Sequence, residues 1–198
     1  MKKFFIDKCY TYINKHKKLN KIEKIKIKYG LEVMYHFLSK TIVILLLSYL
    51  LNIFKQTILL FIFFAPIRTF AYGLHAKSNI ECWLFSIFIY VFIGLYIKYA
   101  NMNIPIQYSL IIISIISLLL YAPADNQNLP LVNKQKRIKL KIKSIMVSII
   151  YLIIFIYTKN NLIRNVICFS LVLQSILINP FIYFITKNKF NNYKYYNC

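Results

Sequence analysis

The chain has 198 residues, the length of one domain, and 59% of them are hydrophobic, with a mean hydropathy of +0.56; a soluble domain cannot bury that much apolar surface, so a membrane is the expected solvent. A net charge of +21 would point to nucleic acid in a soluble protein, but here Lys and Arg lie between apolar stretches, where they report topology, and no nucleic-acid partner is expected. Cys9, Cys82, Cys168 and Cys198 are too far apart for CxxC or metal-type spacing, which argues against a zinc site and a disulfide framework; no metal and no cofactor is expected.

Residues 1–30 alternate Lys with Ile, Leu, Phe and Tyr, as in Lys21-Ile22-Glu23-Lys24-Ile25-Lys26-Ile27-Lys28. This pattern suits a basic amphipathic helix on an anionic membrane surface, and docking of a substrate peptide is the functional alternative. An apolar region followed by a small-residue cleavage site is missing here, so the segment is expected to stay on the chain.

Six apolar segments follow, at about 33–54, 57–72, 83–97, 104–122, 144–158 and 162–186. Several are shorter than the roughly 20 residues that cross the hydrocarbon core. The second is the weakest, because Ala65-Pro66 interrupts it and Arg68 follows; it crosses obliquely or dips in and returns. The expected fold is therefore all-α, a polytopic membrane protein of about six hydrophobic helices, one or two of them short or re-entrant, behind an N-terminal basic amphipathic helix. One domain covers 1–198, divided into the basic segment 1–30, a transmembrane region 31–186 and a tail 187–198.

If all six segments cross, eleven basic residues lie before or at the start of the first span, two in the 68–82 loop, six in the 123–143 loop and three in the tail, so that 22 of 26 fall on one side. Only Lys55, Lys98, Lys159 and Arg164 fall on the other. The positive-inside rule then puts both termini and the loops with His75 and Asp125 in the cytoplasm. Abundant Lys, Ile, Asn, Tyr and Phe with only three Gly fits an AT-rich bacterial genome, and a bacterial cell membrane is the expected location.

Chemistry concentrates in Arg68-Thr-Phe-Ala-Tyr-Gly73-Leu-His75-Ala-Lys-Ser78-Asn-Ile-Glu81-Cys82-Trp-Leu-Phe-Ser86. Such side chains are costly near hydrocarbon, and their clustering marks a site. A cysteine peptidase needs a thiol and an imidazole that takes its proton, within hydrogen-bond reach. On one straight helix, residues seven apart are separated by roughly 10 Å, so the segment has to bend between His75 and Cys82. Gly73 supplies a permissive backbone, and Ser78-x-x-Glu81 fits a capping box that starts a helix. Cys82 then falls in the first helical turn, where the positive helix end favours a thiolate. Each feature also has a bland reading: a small apolar filler for the Cys, an interfacial amphipath for the His, an ordinary helix start for the cap.

The second polar island is Tyr121-Ala-Pro123-Ala-Asp125-Asn126, with Pro130-Leu131 and a Lys/Arg run over 134–143. Asp125 has three readings: orienting His75 as a third catalytic group, holding Arg68, or opening a Pro-bounded turn. The basic run anchors topology and would also attract an acidic peptide.

Taken together, Arg68, Gly73, His75-Ala76-Lys77, Cys82 and Ser86, followed by Tyr121-Ala122-Pro123-Ala124-Asp125-Asn126 and Pro130-Leu131 before a basic run, resemble the accessory gene regulator B (AgrB) family of quorum-sensing membrane peptidases. Many of its members carry Gly-Gly before the His, where this chain has Gly73-Leu74. The resemblance covers the whole chain. It implies a cytoplasmic-face active site with Cys82 as nucleophile and His75 as base, and a need for the residues matching Arg68 and Gly73. It also implies the reaction: Cys82 attacks a short AgrD-type propeptide, releases an acidic C-terminal fragment and holds the rest as an acyl-thioester, which an internal Cys or Ser closes into a thiolactone or lactone. The implied partners are that propeptide and the lipid bilayer, with a homodimer left open. The alternative reading is a non-catalytic small polytopic transporter or peptide-export component, for which Cys82→Ala would be silent.

Overall fold

A computed structural model describes residues 2–16, 20–76, 78–125 and 130–196; Lys77, Asn126 and Cys198, named above, lie outside the described residues. Among those residues are eight helices: α1 (Lys2–His16), α2 (Lys21–Leu50), α3 (Phe54–Ala71), α4 (Asn79–Tyr99), α5 (Ile104–Tyr121), α6 (Lys134–Tyr157), α7 (Asn161–Ile178) and α8 (Pro180–Ile185). A 3₁₀ turn at Asn192–Tyr195 follows. Six of the helices, α2 to α7, are long and apolar enough to span a membrane, and the all-α polytopic fold holds.

The helix boundaries refine the expected segments. The Asn20 backbone N–H donates to the Glu23 carboxylate at 2.9 Å, so the Lys21–Lys28 alternation forms the first turns of α2 and no break separates it from the first span. At 30 residues α2 is roughly 45 Å long, more than the roughly 30 Å hydrocarbon core needs, which lets its basic turns stand outside. The 57–72 segment forms one continuous 18-residue helix with Pro66 inside it. The segment at 162–186 is two helices, because a residue before proline disfavours the α conformation. Asn179 adopts an extended backbone there, and its side chain accepts from the Phe181 N–H at 2.9 Å to cap α8.

Helix α7 is the centre of the bundle, with half of its span buried. It packs against α3 and α5 through Ile167 and Leu171, which meet Ile67, Ile111 and Leu118 in the main core. Hydrogen bonds supplement this packing where hydrocarbon gives no drive for helices to associate. The Gln107 amide donates to Asn165 at 2.7 Å, and the Tyr151 hydroxyl donates to the Phe63 carbonyl at 2.7 Å. A π turn at Phe88–Phe92 inside α4 frees backbone carbonyls, and the Thr57 hydroxyl of α3 donates to the Tyr90 carbonyl at 3.2 Å. Outward-facing residues such as Leu46, Leu84, Phe92 and Ile153 are exposed, as lipid contact requires.

Candidate active site

The C-terminal ends of α3, α5 and α7 meet at one end of the bundle, and the backbone leaving α3 is stitched to the other two. Tyr72 and Gly73 both take positive φ, 56° and 114°, which turns the chain sharply out of the helix. Gly73 N–H donates to the Ala124 carbonyl at 2.8 Å, Ala124 N–H to the Ala71 carbonyl at 3.0 Å, and Leu74 N–H to the Leu177 carbonyl at 2.9 Å. Tyr72 and Ala124 thus form an isolated parallel bridge, which links the two polar islands of the sequence directly. The Gln174 amide donates to the Tyr72 carbonyl at 2.7 Å. Leu74 is buried and has negative φ, so the glycine of the usual pair is not required at that position.

Arg68, one turn before the end of α3, folds back beneath this loop. Its guanidinium donates to the carbonyls of Tyr72 and Leu74, and to that of Gly73 at 3.4 Å. The planar fork suits three carbonyls converging on one point. The backbone immediately before His75, at 72–74, is therefore fixed by both side-chain and backbone bonds.

Beyond His75 the chain enters α4. The Ser78 hydroxyl accepts from the Glu81 N–H at 3.2 Å, as an N-cap does. Cys82 is the fourth residue of the helix, its N–H already bonded to the Ser78 carbonyl at 3.0 Å, and its side chain is exposed. One turn on, the Ser86 hydroxyl donates to the Cys82 carbonyl at 2.8 Å. Across the gap, Lys40 of α2 donates from Nζ to Cys82 Sγ at 3.4 Å.

These side chains share one cavity of about 650 Å³. Arg68, His75, Glu81, Cys82, Ser86 and Lys40 give it a polar side; Phe37, Ile44, Phe61, Phe64, Phe85 and Ile89 make the remainder apolar; Leu177, Thr186 and Asn188 close it from the C-terminal region. A largely apolar pocket with a few convergent polar groups is what a ligand site requires. His75 keeps an exposed face, yet enough of its ring is withdrawn from water to lower its pKa below the ordinary 6.5, and the positive charges of Arg68 and Lys40 lower it further. The imidazole is accordingly neutral at physiological pH, the state that accepts a proton.

Asp125 is elsewhere engaged. It is 1% exposed, and its carboxylate accepts from Asn192 N–H and Tyr193 N–H, both at 2.8 Å, and from Leu131 N–H at 3.4 Å. Of its three sequence readings the turn is nearest: the carboxylate clamps the 3₁₀ turn of the tail against the loop after α5, while Tyr183 Oη donates to the Asp125 carbonyl at 3.1 Å. Cys9 sits in the groove between α1 and α2 and Cys168 is buried in the core. Among the described residues no group of three or more His, Cys, Asp or Glu could hold a metal.

Sequence reasoning missed Lys40, which it counted as a topology charge. A signal was present: Lys40 lies near the start of the first span, just before the apolar run Ile42–Leu47, where an ionisable residue marks function by default.

The Accessory gene regulator B family matches the chain over residues 6–178. An AgrB-like protein of Clostridium acetobutylicum is 34% identical over 91% of this chain and 87% of its own. Accessory gene regulator protein B of Staphylococcus saprophyticus is 30% identical over 88% and 92%, and that of Staphylococcus aureus strain MRSA252 is 31% identical over 90% and 94%. No solved structure matches. With the family's match running from α1 to the end of α7 and relatives aligned over most of both chains, this protein belongs to the accessory gene regulator B family.

Proposed function

We propose that the chain is a cysteine endopeptidase of the bacterial cell membrane that acts in quorum sensing, cleaving an AgrD-type propeptide through Cys82 and cyclising the product. The observation that carries this reading is that Cys82 and His75, from α4 and from the loop before it, open on one cavity. The neutral imidazole of His75 takes the Cys82 proton, and the thiolate attacks the scissile carbonyl. The C–N bond breaks, the imidazolium returns its proton to the leaving amine, and the N-terminal part of the propeptide remains as an acyl-thioester on Cys82. A nucleophilic Cys or Ser within that fragment then attacks the thioester and releases a ring.

For an internal thiol the exchange trades one thioester for another and is nearly isoenergetic, so the acyl energy survives in the product. Hydrolysis is downhill and would yield a linear peptide, so ring closure has to outrun water at the exposed Cys82; the apolar lining from Phe37, Phe61, Phe64 and Phe85 favours the bound peptide over water beside the thioester. The distribution of 22 of 26 basic residues to one side supports a cytoplasmic site and cytoplasmic termini. Arg68 and Gly73 hold the His75 loop, and Asp125 holds the tail that contributes Asn188 to the cavity wall.

The test is co-expression with an AgrD-type propeptide, followed by mass spectrometry. The wild type should yield a cleaved, cyclic product, and Cys82→Ala and His75→Ala should yield only intact propeptide while still inserting in the membrane. Unchanged processing by Cys82→Ala would exclude the reading.

A further inference from the structure

Lys40 comes from α2, whose contributions to the cavity are Phe37, Lys40, Thr41 and Ile44, and it lies 42 residues before the thiol it touches. Its Nζ donates to Cys82 Sγ at 3.4 Å, within the reach of a hydrogen bond to sulfur. It is partly buried on α2, flanked by Phe37 and Ile44 along the cavity wall. On that wall the group that the ammonium meets is the Cys82 sulfur, so its charge is placed where a negative sulfur would develop. The other charged or titratable groups around the cavity are Arg68 from α3, His75 from the loop, and Glu81 and Cys82 from α4, with Tyr90 further along α4.

We propose that Lys40 is a catalytic residue that stabilises the Cys82 thiolate, both when it forms as nucleophile and when it departs as leaving group. This deepens the peptidase reading and rests on it. In the first half-reaction the thiol proton passes to His75 and the sulfur acquires a negative charge opposite Lys40. Forming the acyl-thioester removes that charge. In the second half-reaction the internal nucleophile loses its proton to His75 and attacks the acyl carbon; the C–S bond to Cys82 breaks, and the electron pair returns to Sγ opposite the ammonium. A thiol leaves faster the better its thiolate is stabilised, so Lys40 biases the acyl-enzyme toward ring closure as well as toward formation. His75 moves protons in both steps, and Lys40 holds charge in both without exchanging a proton.

The experiment uses the full chain in membranes and two readouts. The first is the rate of iodoacetamide alkylation at Cys82 near neutral pH, read by peptide mapping so that Cys9, Cys168 and Cys198 do not contribute. The second is processing of co-expressed propeptide. Lys40→Met should slow alkylation at Cys82 about tenfold or more, as loss of an adjacent opposite charge implies, and lower processing at least as far. Lys40→Arg, which keeps the charge, should restore most of both, and Lys40→Gln gives a second neutral variant should Lys40→Met insert poorly. Alkylation and processing by Lys40→Met at the wild-type rate would overturn the proposal. So would an Lys40→Arg variant as impaired as Lys40→Met, which would mark a packing role. Failure of the peptidase reading itself is separately visible, because processing would then survive Cys82→Ala.

Discussion

A Cβ atom built on Gly73 would lie 2.6 Å from Arg68 Nη1 and 2.8 Å from the Leu177 carbonyl, in a backbone with φ of 114°. The glycine and the arginine therefore require each other: the close approach that lets Arg68 gather the carbonyls of Tyr72, Gly73 and Leu74 leaves no room for a side chain at 73. Gly73→Ala should destabilise the protein by on the order of 1–3 kcal/mol through backbone strain and lower processing more than tenfold, since the shifted loop carries His75. Thermal unfolding in detergent and processing yield, measured together, check this.

Arg68→Lys should behave much like Arg68→Ala. A lysine supplies a point charge in place of a planar fork, and it cannot reach three carbonyls in one plane. Both variants are expected to insert and to lose most propeptide cleavage, with increased protease sensitivity of the 72–78 loop as the structural readout. Full activity of Arg68→Lys would show that charge alone suffices.

The acid limb of the reaction reports on His75. Its folded pKa is lowered from 6.5 by burial first and then by Arg68 and Lys40. The catalytic form is neutral, so kcat/KM should be level through pH 7 and fall only as pH drops below about 6.5. Removing the positive charge in Lys40→Met should move that limb upward, toward the ordinary imidazole value. A pH–rate profile of purified enzyme in detergent or nanodiscs tests both the position and the direction of movement.

Asp125→Asn separates an anchoring role from a catalytic one. The carboxylate accepts three backbone N–H bonds at Leu131, Asn192 and Tyr193, and an amide in its place turns a donor toward at least one of them. Loss of a buried, charge-assisted clamp should cost on the order of 1–3 kcal/mol and expose the 187–196 tail to proteolysis. The acid limb of the pH profile should stay where it is. A shifted limb with an intact tail would instead mark Asp125 as the group that orients His75.

The parts of the fold legible in the sequence are those set by local pattern. Long apolar runs located the six spans, and Ser78 with Glu81 located the start of α4, which put Cys82 in its first turn. Span ends were harder to read. The Asn179-Pro180 step carried a visible stop signal within a run of apolar residues, while Pro66 carried a similar signal and α3 continues through it, packed against α7. What could not be read is long-range. Asp125 is open in the sequence to three roles, orienting His75, holding Arg68 or opening a turn, and only folding reveals that its partners include backbone amides near 192. Lys40 and Cys82 meet because α2 and α4 lean together at one level of the bundle, and no spacing rule encodes that contact.

The most direct test traps the acyl-enzyme. Acid quench during propeptide processing, followed by mass mapping, should find the N-terminal propeptide fragment attached at Cys82 through a hydroxylamine-labile thioester, with no adduct in Cys82→Ala and none formed in His75→Ala. Processing that proceeds with Cys82 unmodified, or that persists when Cys82 is alanine, would contradict the account.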